Sequence, residues 1–144
     1  MRYMKRLALI SCLLFVSVIF AQKANILGRW KTIDDQTGKA VSVIEIYEKH
    51  GMIYGKVAEL LNPKDKGKTC SNCEGQDKDK SILGLVVIQG LIKEGNDYKG
   101  KILDPKHGKI YQCIVKLENR DKLKVRGYIG FSLLGRTQYW HRVK

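Results

Sequence analysis

The sequence predicts an all-β protein built from one antiparallel domain, either a sandwich or a closed barrel. Short segments rich in β-branched and aromatic residues recur about every 8–12 residues, which is the spacing of such folds. Turn signals containing Gly, Asp or Pro separate these segments. No long segment after the amino-terminal region shows convincing helical periodicity. Together these observations favour strands joined by short connections.

Three strands are predicted in the first part of the domain. Residues 28–33 form the first, which ends at the turn-rich segment 34–38. Residues 41–48 are rich in β-branched side chains, and residues 52–61 follow after a short link. In that link Gly51 can supply the positive φ that a tight hairpin needs. We therefore expect the second and third strands to form a hairpin.

A long polar loop is predicted over residues 62–81, and it contains Pro63, Cys70 and Cys73. A loop of this length is uncommon in a compact domain and is usually either functional or mobile. The segment Ile82–Ile92 that follows is the most apolar part of the domain. Periodicity does not separate a buried strand from a short helix there. Its β-branched residues and two glycines favour extended or irregular structure.

The carboxyl-terminal half shows the clearest strand pattern. Residues 98–103 and 109–117 flank the sequence Asp-Pro-Lys-His-Gly at 104–108, where Asp, Pro and Gly each suit a position of a tight turn. The remaining elements are a turn at 119–121, a strand at 122–129 and a closing strand at 136–143.

The amino terminus has the features of an export signal. Three basic residues precede an apolar run, 7–20, and Ala21 offers a small residue for cleavage. That run is shorter than the roughly 20 residues that span a bilayer, so a retained transmembrane helix is the weaker interpretation. Lipidation at Cys12 is also disfavoured, because most of the apolar run follows that cysteine. We predict a signal peptide, 1–21, one domain, 22–144, and a periplasmic or secreted location.

The chain is strongly basic. Its formal net charge is +13, and the predicted signal peptide carries three basic and no acidic side chains, which leaves +10 on the remaining 123 residues. Such a charge favours acidic partners, for example envelope lipid or polysaccharide. The lysines are scattered rather than packed on one helix or interleaved with aromatic residues, which argues against nucleic acid. We expect a monomer with no nucleic-acid partner.

Three cysteines remain after the predicted cleavage. Cys70 and Cys73 have the spacing of a local disulfide, which an oxidising compartment would favour over a metal site, a redox dithiol or no specific role. Cys113 lies in an alternating segment on the same face as Tyr111 and Val115. It is predicted to be a buried free thiol that acts as a small hydrophobic side chain.

Recognisable catalytic and metal motifs are missing from the sequence. It contains no Gly-x-Ser-x-Gly elbow, no His-Glu-x-x-His helix and no Gly-rich phosphate loop. Its three histidines are far apart, whereas a zinc site needs four ligands at set spacing. We expect no enzymatic activity, no cofactor and no metal.

The closing strand leaves one question open. In extended structure Arg136, Gln138, Trp140 and Arg142 share one face. If that face points outward, it is a solvated surface with one exposed Trp. If it points inward, its polar groups are costly to bury unless they pair or bind something. In the preceding strand the Leu/Val/Ile face is expected to be the core, which puts Arg126 on the wetter side.

An ordered series of short motifs runs through the domain: Gly28-x-Trp30, Tyr54–Val57, Ile82–Leu85, Gly100–Pro105, Gly108–Tyr111, Leu123–Gly130 and Leu134–Trp140. Together they resemble an exported bacterial family catalogued as domain of unknown function 2147. The resemblance implies a small barrel related in shape to lipocalins and fatty-acid-binding proteins, and it brings no established activity. The pairing of Gly28-x-Trp30 with Arg142 is also similar to lipocalins, in which a first-strand Trp packs beneath a basic residue of the last strand.

The fold class expected from residues and resemblance together is a single antiparallel, lipocalin-like β-barrel with a long polar loop. The candidate ligand-binding residues are Trp30, Asp104, Tyr111, Arg126, Arg136, Gln138 and Trp140. The leading hypothesis is an exported, non-enzymatic barrel that binds a small amphipathic or anionic ligand, oriented by inward polar side chains. The alternative is an interaction or structural module that contacts anionic envelope polymer or lipid through its basic surface and the 62–81 loop. A third, enzymatic hypothesis requires a cleft in which Arg126 or Arg136 meets Asp104 and a histidine.

Overall fold

Eight antiparallel strands, each paired with its neighbours in sequence, close into one barrel. The computed structural model describes residues 25–131 and 133–144, so the predicted signal peptide, 1–21, lies outside the described residues. The strands are β1 Gly28–Ile33, β2 Ala40–Lys49, β3 Met52–Leu60, β4 Val86–Glu94, β5 Asp97–Asp104, β6 Lys109–Asn119, β7 Lys122–Tyr128 and β8 Gly135–Arg142. The barrel closes where β1 pairs with β8. The predicted all-β, closed-barrel fold is confirmed.

The short turns form where the sequence places left-handed residues. Between β2 and β3, His50 and Gly51 have φ angles of 52° and 77°, the pair of positive values that a two-residue hairpin requires. Between β5 and β6, Gly108 has a φ of 68° and its amide donates to the carbonyl of Asp104 at 2.8 Å. Both hairpins therefore depend on left-handed turn residues that can be recognised in the sequence.

Strand β4 covers the second part of the segment Ile82–Ile92, for which extended or irregular structure is predicted, and runs two residues past it. Ile82–Leu85 lies in a turn, and the strand begins at Val86 and continues to Glu94. Its register shifts between Gln89 and Ile92, where Gly90 has a φ of 63°. This bulge lets Ile88 and Leu91 both be buried although they are three residues apart. The bulge also explains why the segment lacks a clean two-residue period.

The long polar connection between β3 and β4 is folded onto the barrel. It contains two short 3₁₀ helices, Pro63–Asp65 and Gly75–Asp77, and a disulfide between Cys70 and Cys73. Both cysteines are buried in the same hydrophobic cluster as the barrel core. The side-chain amide of Asn72 donates to the carbonyl of Lys106 at 3.0 Å, which ties the connection to the β5–β6 turn.

The barrel has two different ends. We call the end with the β2–β3, β4–β5 and β6–β7 turns, together with residues 25–27, the closed end. We call the end with the β1–β2, β3–β4, β5–β6 and β7–β8 connections the mouth. The buried core runs between them and includes Trp30, Ile46, Ile88, Leu123 and Trp140. Among the described residues, no helix is long and apolar enough to cross a membrane.

Candidate ligand site at the mouth of the barrel

The closed end is sealed by a tryptophan and an arginine. Trp30 is fully buried, and its indole N–H donates to the carbonyl of Ile26 at 2.9 Å. The guanidinium carbon of Arg142 lies 4.2 Å from the centre of the Trp30 ring. Arg142 also donates to the backbone carbonyls of Asn25, Leu27 and Arg120. The packing of the first-strand Trp beneath a last-strand cation is therefore present, and it places Trp30 in the fold rather than in an accessible site.

The inner face of β8 points into the barrel. Trp140 is buried opposite Leu123 of β7, and its indole N–H lies 3.3 Å from the Gln138 side-chain oxygen that accepts it. Gln138 is half-buried opposite Val125. The sequence did not determine whether the face that carries Arg136, Gln138 and Trp140 points inward or outward. In the structure it points inward, and Trp140 lies below Gln138.

Cys113 contributes a neutral side chain to this interior. The thiol is buried and unpaired, as predicted. Burial raises the pKa of Cys113 from 9.0 to about 12, because the thiolate would lose its hydration in the apolar core. The thiol is therefore an inert packing group at neutral pH.

Above Gln138 the inner wall carries a glycine, Gly127. Gly127 pairs with Arg136, and a Cβ added to Gly127 would lie 3.5 Å from Cγ2 of Ile102 and 3.7 Å from Cβ of Tyr111. Those distances place Gly127 on the inner wall facing Ile102 and Tyr111, both half-buried. Because they are ordinary van der Waals distances, Ile102 and Tyr111 pack close to the Gly127 backbone, and a large side chain there would have to displace them.

A pair of hydroxyl groups lies on the inner face of β1 and β2, next to β8 around the barrel. The hydroxyl oxygens of Thr32 and Ser42 are 2.6 Å apart, on neighbouring positions of β1 and β2. Thr32 follows Trp30 by two residues and so shares its inward face. The mouth is therefore lined by small hydroxyl groups as well as by Gln138.

The rim of the mouth carries charged groups on its loops. Arg136 forms an ion pair with Asp35 of the β1–β2 connection, with Nε 2.7 Å from the carboxylate, and both side chains are exposed. Hydrogen bonds from the backbone and side chain of Thr37, followed by the Gln36 backbone, hold the pKa of Asp34 below its usual range. Arg136 therefore lies at the entrance in an exposed ion pair, a kind of contact that contributes little to stability.

The structure separates the remaining candidate residues. Asp104 ends β5 and serves the β5–β6 turn, where its carboxylate accepts the Lys106 amide at 2.9 Å and contacts His107 Nδ1 at 2.7 Å. Arg126 lies on the outer face of β7 and donates to the Thr137 hydroxyl at 2.8 Å, in line with its predicted wetter side. Tyr111, Arg136 and Gln138 are brought to the mouth, and Trp140 lies below them.

Two cavities formed by the described residues lie on the outside of the barrel. One, of about 260 Å³, lies beside the disulfide and includes Cys73, Leu103 and Ile110. The other, of about 380 Å³, lies on the outer face of β6 and β7. The lower barrel is filled by buried side chains. No group of three or more metal-ligating side chains occurs within residues 25–131 and 133–144.

Sequence reasoning missed Gly127, Ile102 and the Thr32–Ser42 pair. A signal for Gly127 existed, because a Gly within a run of strand-forming residues often marks a position where space is needed. Ile102 and the hydroxyl pair look like ordinary strand residues. Only their position around the mouth gives them a role.

The closed barrel with its Trp–Arg seal defines a lipocalin-like fold. Its backbone is similar to a solved structure described as "Protein HP1028 from the human pathogen Helicobacter pylori belongs to the lipocalin family", with a TM-score of 0.74, 23% identity and 85% of each chain covered. Residues 28–142 match a family described as "Uncharacterized protein conserved in bacteria (DUF2147)", and the chain belongs to that family. No functionally curated protein matches it in sequence. At this level of identity the structural likeness shows the fold alone.

Proposed function

We propose that the protein is a non-enzymatic binder of a small amphipathic or anionic ligand, held at the mouth of the barrel. The observation that carries the proposal is the inward Gln138, half-buried between the exposed Arg136 at the entrance and the buried Trp140 below it. Lipocalin-like barrels of this size can hold one small ligand. A polar amide on the inner wall, at the open end of a sealed barrel, is suited to that role.

The side chains around Gln138 suit a ligand with one polar head. The Gln138 oxygen accepts from Trp140, which leaves its amide N–H groups to donate to a ligand. Arg136 stands at the entrance and can exchange exposed Asp35 for a carboxylate or phosphate, which its planar guanidinium binds in two places. The apolar part of the ligand would contact Tyr111 and Ile102.

The filled core limits the length of that ligand. Trp140 and Leu123 occupy the space below Gln138, Val125 lies beside it, and all three are buried. A long acyl chain would have to displace these side chains, at a cost of several kcal/mol in lost packing. Short or bent amphiphiles, with one ring or a short chain, are therefore the favoured class.

The proposed place of action is the periplasm or the extracellular space. Two features support it: the signal-like amino terminus in the sequence and the Cys70–Cys73 disulfide, a bond typical of oxidising compartments. Detection of the processed chain in a periplasmic or culture fraction would test the location. Retention of the full chain in the cytoplasm would contradict it.

Binding can be tested with anilinonaphthalene sulfonate, an amphipathic anion whose fluorescence rises in apolar surroundings. Gly127→Leu adds a large side chain against Ile102 and Tyr111, and Gln138→Leu removes the donor. Each is expected to weaken binding about tenfold or more. Gln112→Leu is the matched control, since residue 112 is exposed on the outer face of β6. Circular dichroism verifies that each variant is folded.

The outcome separates a mouth site from surface adsorption. Loss of the fluorescence in Gly127→Leu and Gln138→Leu but not in Gln112→Leu supports the proposal. Equal binding by all four proteins overturns it, because the probe would then bind elsewhere.

A further inference from the structure

The connection between β7 and β8 exposes several large apolar side chains. Ile129, Phe131, Leu133 and Leu134 have between 63% and 89% of their surface exposed. Single exposed hydrophobic residues are ordinary, but a contiguous group of this size marks a contact surface. We call these four residues the apolar loop.

The outer face of β5, β6 and β7 beside this loop is basic. By strand alternation its outward cations are Lys99, Lys101, Lys116, Lys122, Lys124 and Arg126. The outward carboxylates of the same strands are Asp97 and Glu118. Lys116 and Lys124 stand directly opposite each other, and neither forms an ion pair within the described part of the chain. Like charges in that position destabilise a sheet. Asp97 stands opposite Lys116 on its other side, and Glu94 of β4 pairs with Lys99 at 3.0 Å. The six cations still outnumber these three carboxylates, so the face keeps a net positive charge.

The apolar loop and the basic face form one continuous surface. Leu133 lines the cavity of about 380 Å³ together with Lys116, Lys124 and Arg126, and with Asp97 and Ile114. Arg126 also donates to the backbone carbonyl of Leu133 at 3.2 Å. Exposed hydrophobic side chains therefore adjoin a groove with three cations in its wall.

We propose that this surface docks on a lipid bilayer that carries anionic headgroups. In the docked state Lys116 and Lys124 contact lipid phosphates, and Phe131 and Leu133 enter the boundary between headgroups and acyl chains. Membrane-surface proteins combine these two features: apolar side chains gain free energy by insertion, and each cation near an anionic leaflet adds to it.

The charge and the apolar loop together favour this occupant over others. A second copy of the chain would bring lysines against lysines, which like-charge repulsion opposes. A soluble anionic polysaccharide would pair with the cations but would leave the apolar loop in water. A bilayer with anionic lipid satisfies both halves of the surface.

Flotation with vesicles tests the proposal on the purified protein. Vesicles of phosphatidylcholine alone are compared with an equimolar mixture of phosphatidylcholine and phosphatidylglycerol. Binding to the mixture and not to phosphatidylcholine is expected, with a decline as salt is raised. Lys116→Gln/Lys124→Gln should weaken it roughly thirtyfold, and Phe131→Ser/Leu133→Ser about tenfold or more.

Matched controls change the same chemistry elsewhere. Lys64→Gln/Lys66→Gln removes two exposed lysines of the β3–β4 connection, and Leu83→Ser/Ile92→Ser removes two exposed apolar side chains. Both controls should bind like the unchanged protein. Because all substituted side chains are exposed or half-exposed, the variants should keep their unfolding midpoints.

Insertion has its own readout. A Phe131→Trp reporter should shift its fluorescence to shorter wavelength on anionic vesicles and be quenched by brominated lipid, against the buried background of Trp30 and Trp140. Vesicle binding with no shift, or equal weakening by the control variants, overturns the proposal. So does tight binding of soluble heparin that depends on Lys116 and Lys124 combined with no vesicle binding, since a polyanion would then be the partner. Gly127→Leu should leave vesicle binding unchanged, which separates this surface from the proposed ligand site.

Discussion

Strand β8 places an arginine near each end of the barrel, and the two are held in different ways. Arg142 at the closed end has a side chain only 23% exposed, lies over Trp30 and donates to three backbone carbonyls. Arg136 at the mouth is 68% exposed and has a carboxylate partner on a turn. Arg142 therefore holds the fold together, whereas Arg136 is exposed and would be free to pair with another anion in place of Asp35.

The same difference extends to the residues around each arginine. Trp30 is fully buried and its N–H is satisfied by Ile26. Tyr111 and Gln138 at the mouth are half-buried. The comparison teaches that a shared motif position can mark either architecture or a site, and that burial and hydrogen bonding tell the two apart.

Truncation of the two aromatic side chains should show the largest contrast. Trp30→Ala is expected to lower the free energy of unfolding by about 3–5 kcal/mol, since it empties a filled core position. Tyr111→Ala removes a half-buried ring and should cost less than about 2 kcal/mol. Urea denaturation measures both values. Equal losses would contradict the distinction between a closed end and a mouth.

The two arginines offer a matched test with the charge kept. Arg142→Lys should lower the free energy of unfolding by about 2–3 kcal/mol, because an ammonium cannot replace a planar fork that bonds three carbonyls and stacks on an indole. Arg136→Lys should change it by less than about 0.5 kcal/mol, as for an exposed ion pair. Thermal unfolding of both variants under one buffer condition decides the matter. A larger loss for Arg136→Lys would mean that the mouth is the stabilised end.

At the mouth the β5–β6 turn packs closely against the disulfide-containing β3–β4 connection, and two glycines test this contact. An alanine Cβ at Gly108 would lie 1.8 Å from the Asn72 carbonyl oxygen, whereas at Gly38 nothing lies within 4 Å, and the two have similar φ angles of 68° and 67°. Both substitutions should cost about 1 kcal/mol for the left-handed backbone. Gly108→Ala should cost about 2 kcal/mol more, because the disulfide connection must move away. Proteolysis within residues 62–81 should accelerate only in Gly108→Ala, and equal rates would show that the contact is dispensable.

The buried thiol predicts a smaller, pH-dependent effect. Burial raises the folded pKa of Cys113 to about 12, so the unfolded chain loses its proton first as the pH rises above 9. The stability gained from the neutral thiol is present below that pH and is lost between 9 and about 12, at up to about 1.4 kcal/mol per pH unit. The Cys113→Ala variant should lack this pH-dependent loss of stability. Urea unfolding of both proteins at about pH 7 and about pH 10 should show their difference narrowing, and a constant difference would contradict the assignment.

The strands were predictable because their chemistry is local. Alternation in the predicted strand 122–129 identified Leu123 and Val125 as core and Arg126 as outward. The prediction was wrong for Ile129, which lies beyond the end of β7 and is exposed. The turn residues at 50–51 and 104–108 marked two hairpins. Strand β4 was harder, since the bulge at Gly90 breaks the two-residue period. A bulge depends on the partner strands, which a single segment does not contain.

The site was less predictable for the same reason. Trp30 and Gln138 are both polar-tipped side chains in strands, and only the position along the barrel axis separates a sealed core from an open mouth. The apolar loop was missed because Ile129, Phe131 and Leu134 have the composition of buried residues. Exposure is a property of the assembled fold, and nothing in the local sequence distinguishes it.

The closure of the barrel has a consequence for how the chain reaches this fold. Strands β1 and β8 share only the pairs Trp30–Arg142 and Lys31–His141, while the sequential hairpins have longer ladders. The Arg142 contact with Asn25 joins residues 117 positions apart. Because joining distant segments costs the most chain entropy, we expect this seam to form late in folding and to slow it. Backbone amides of β1 and β8 should then exchange with solvent sooner than those of β6 and β7. Arg142, which seals the closed end, would also hold together the seam at which the barrel first opens.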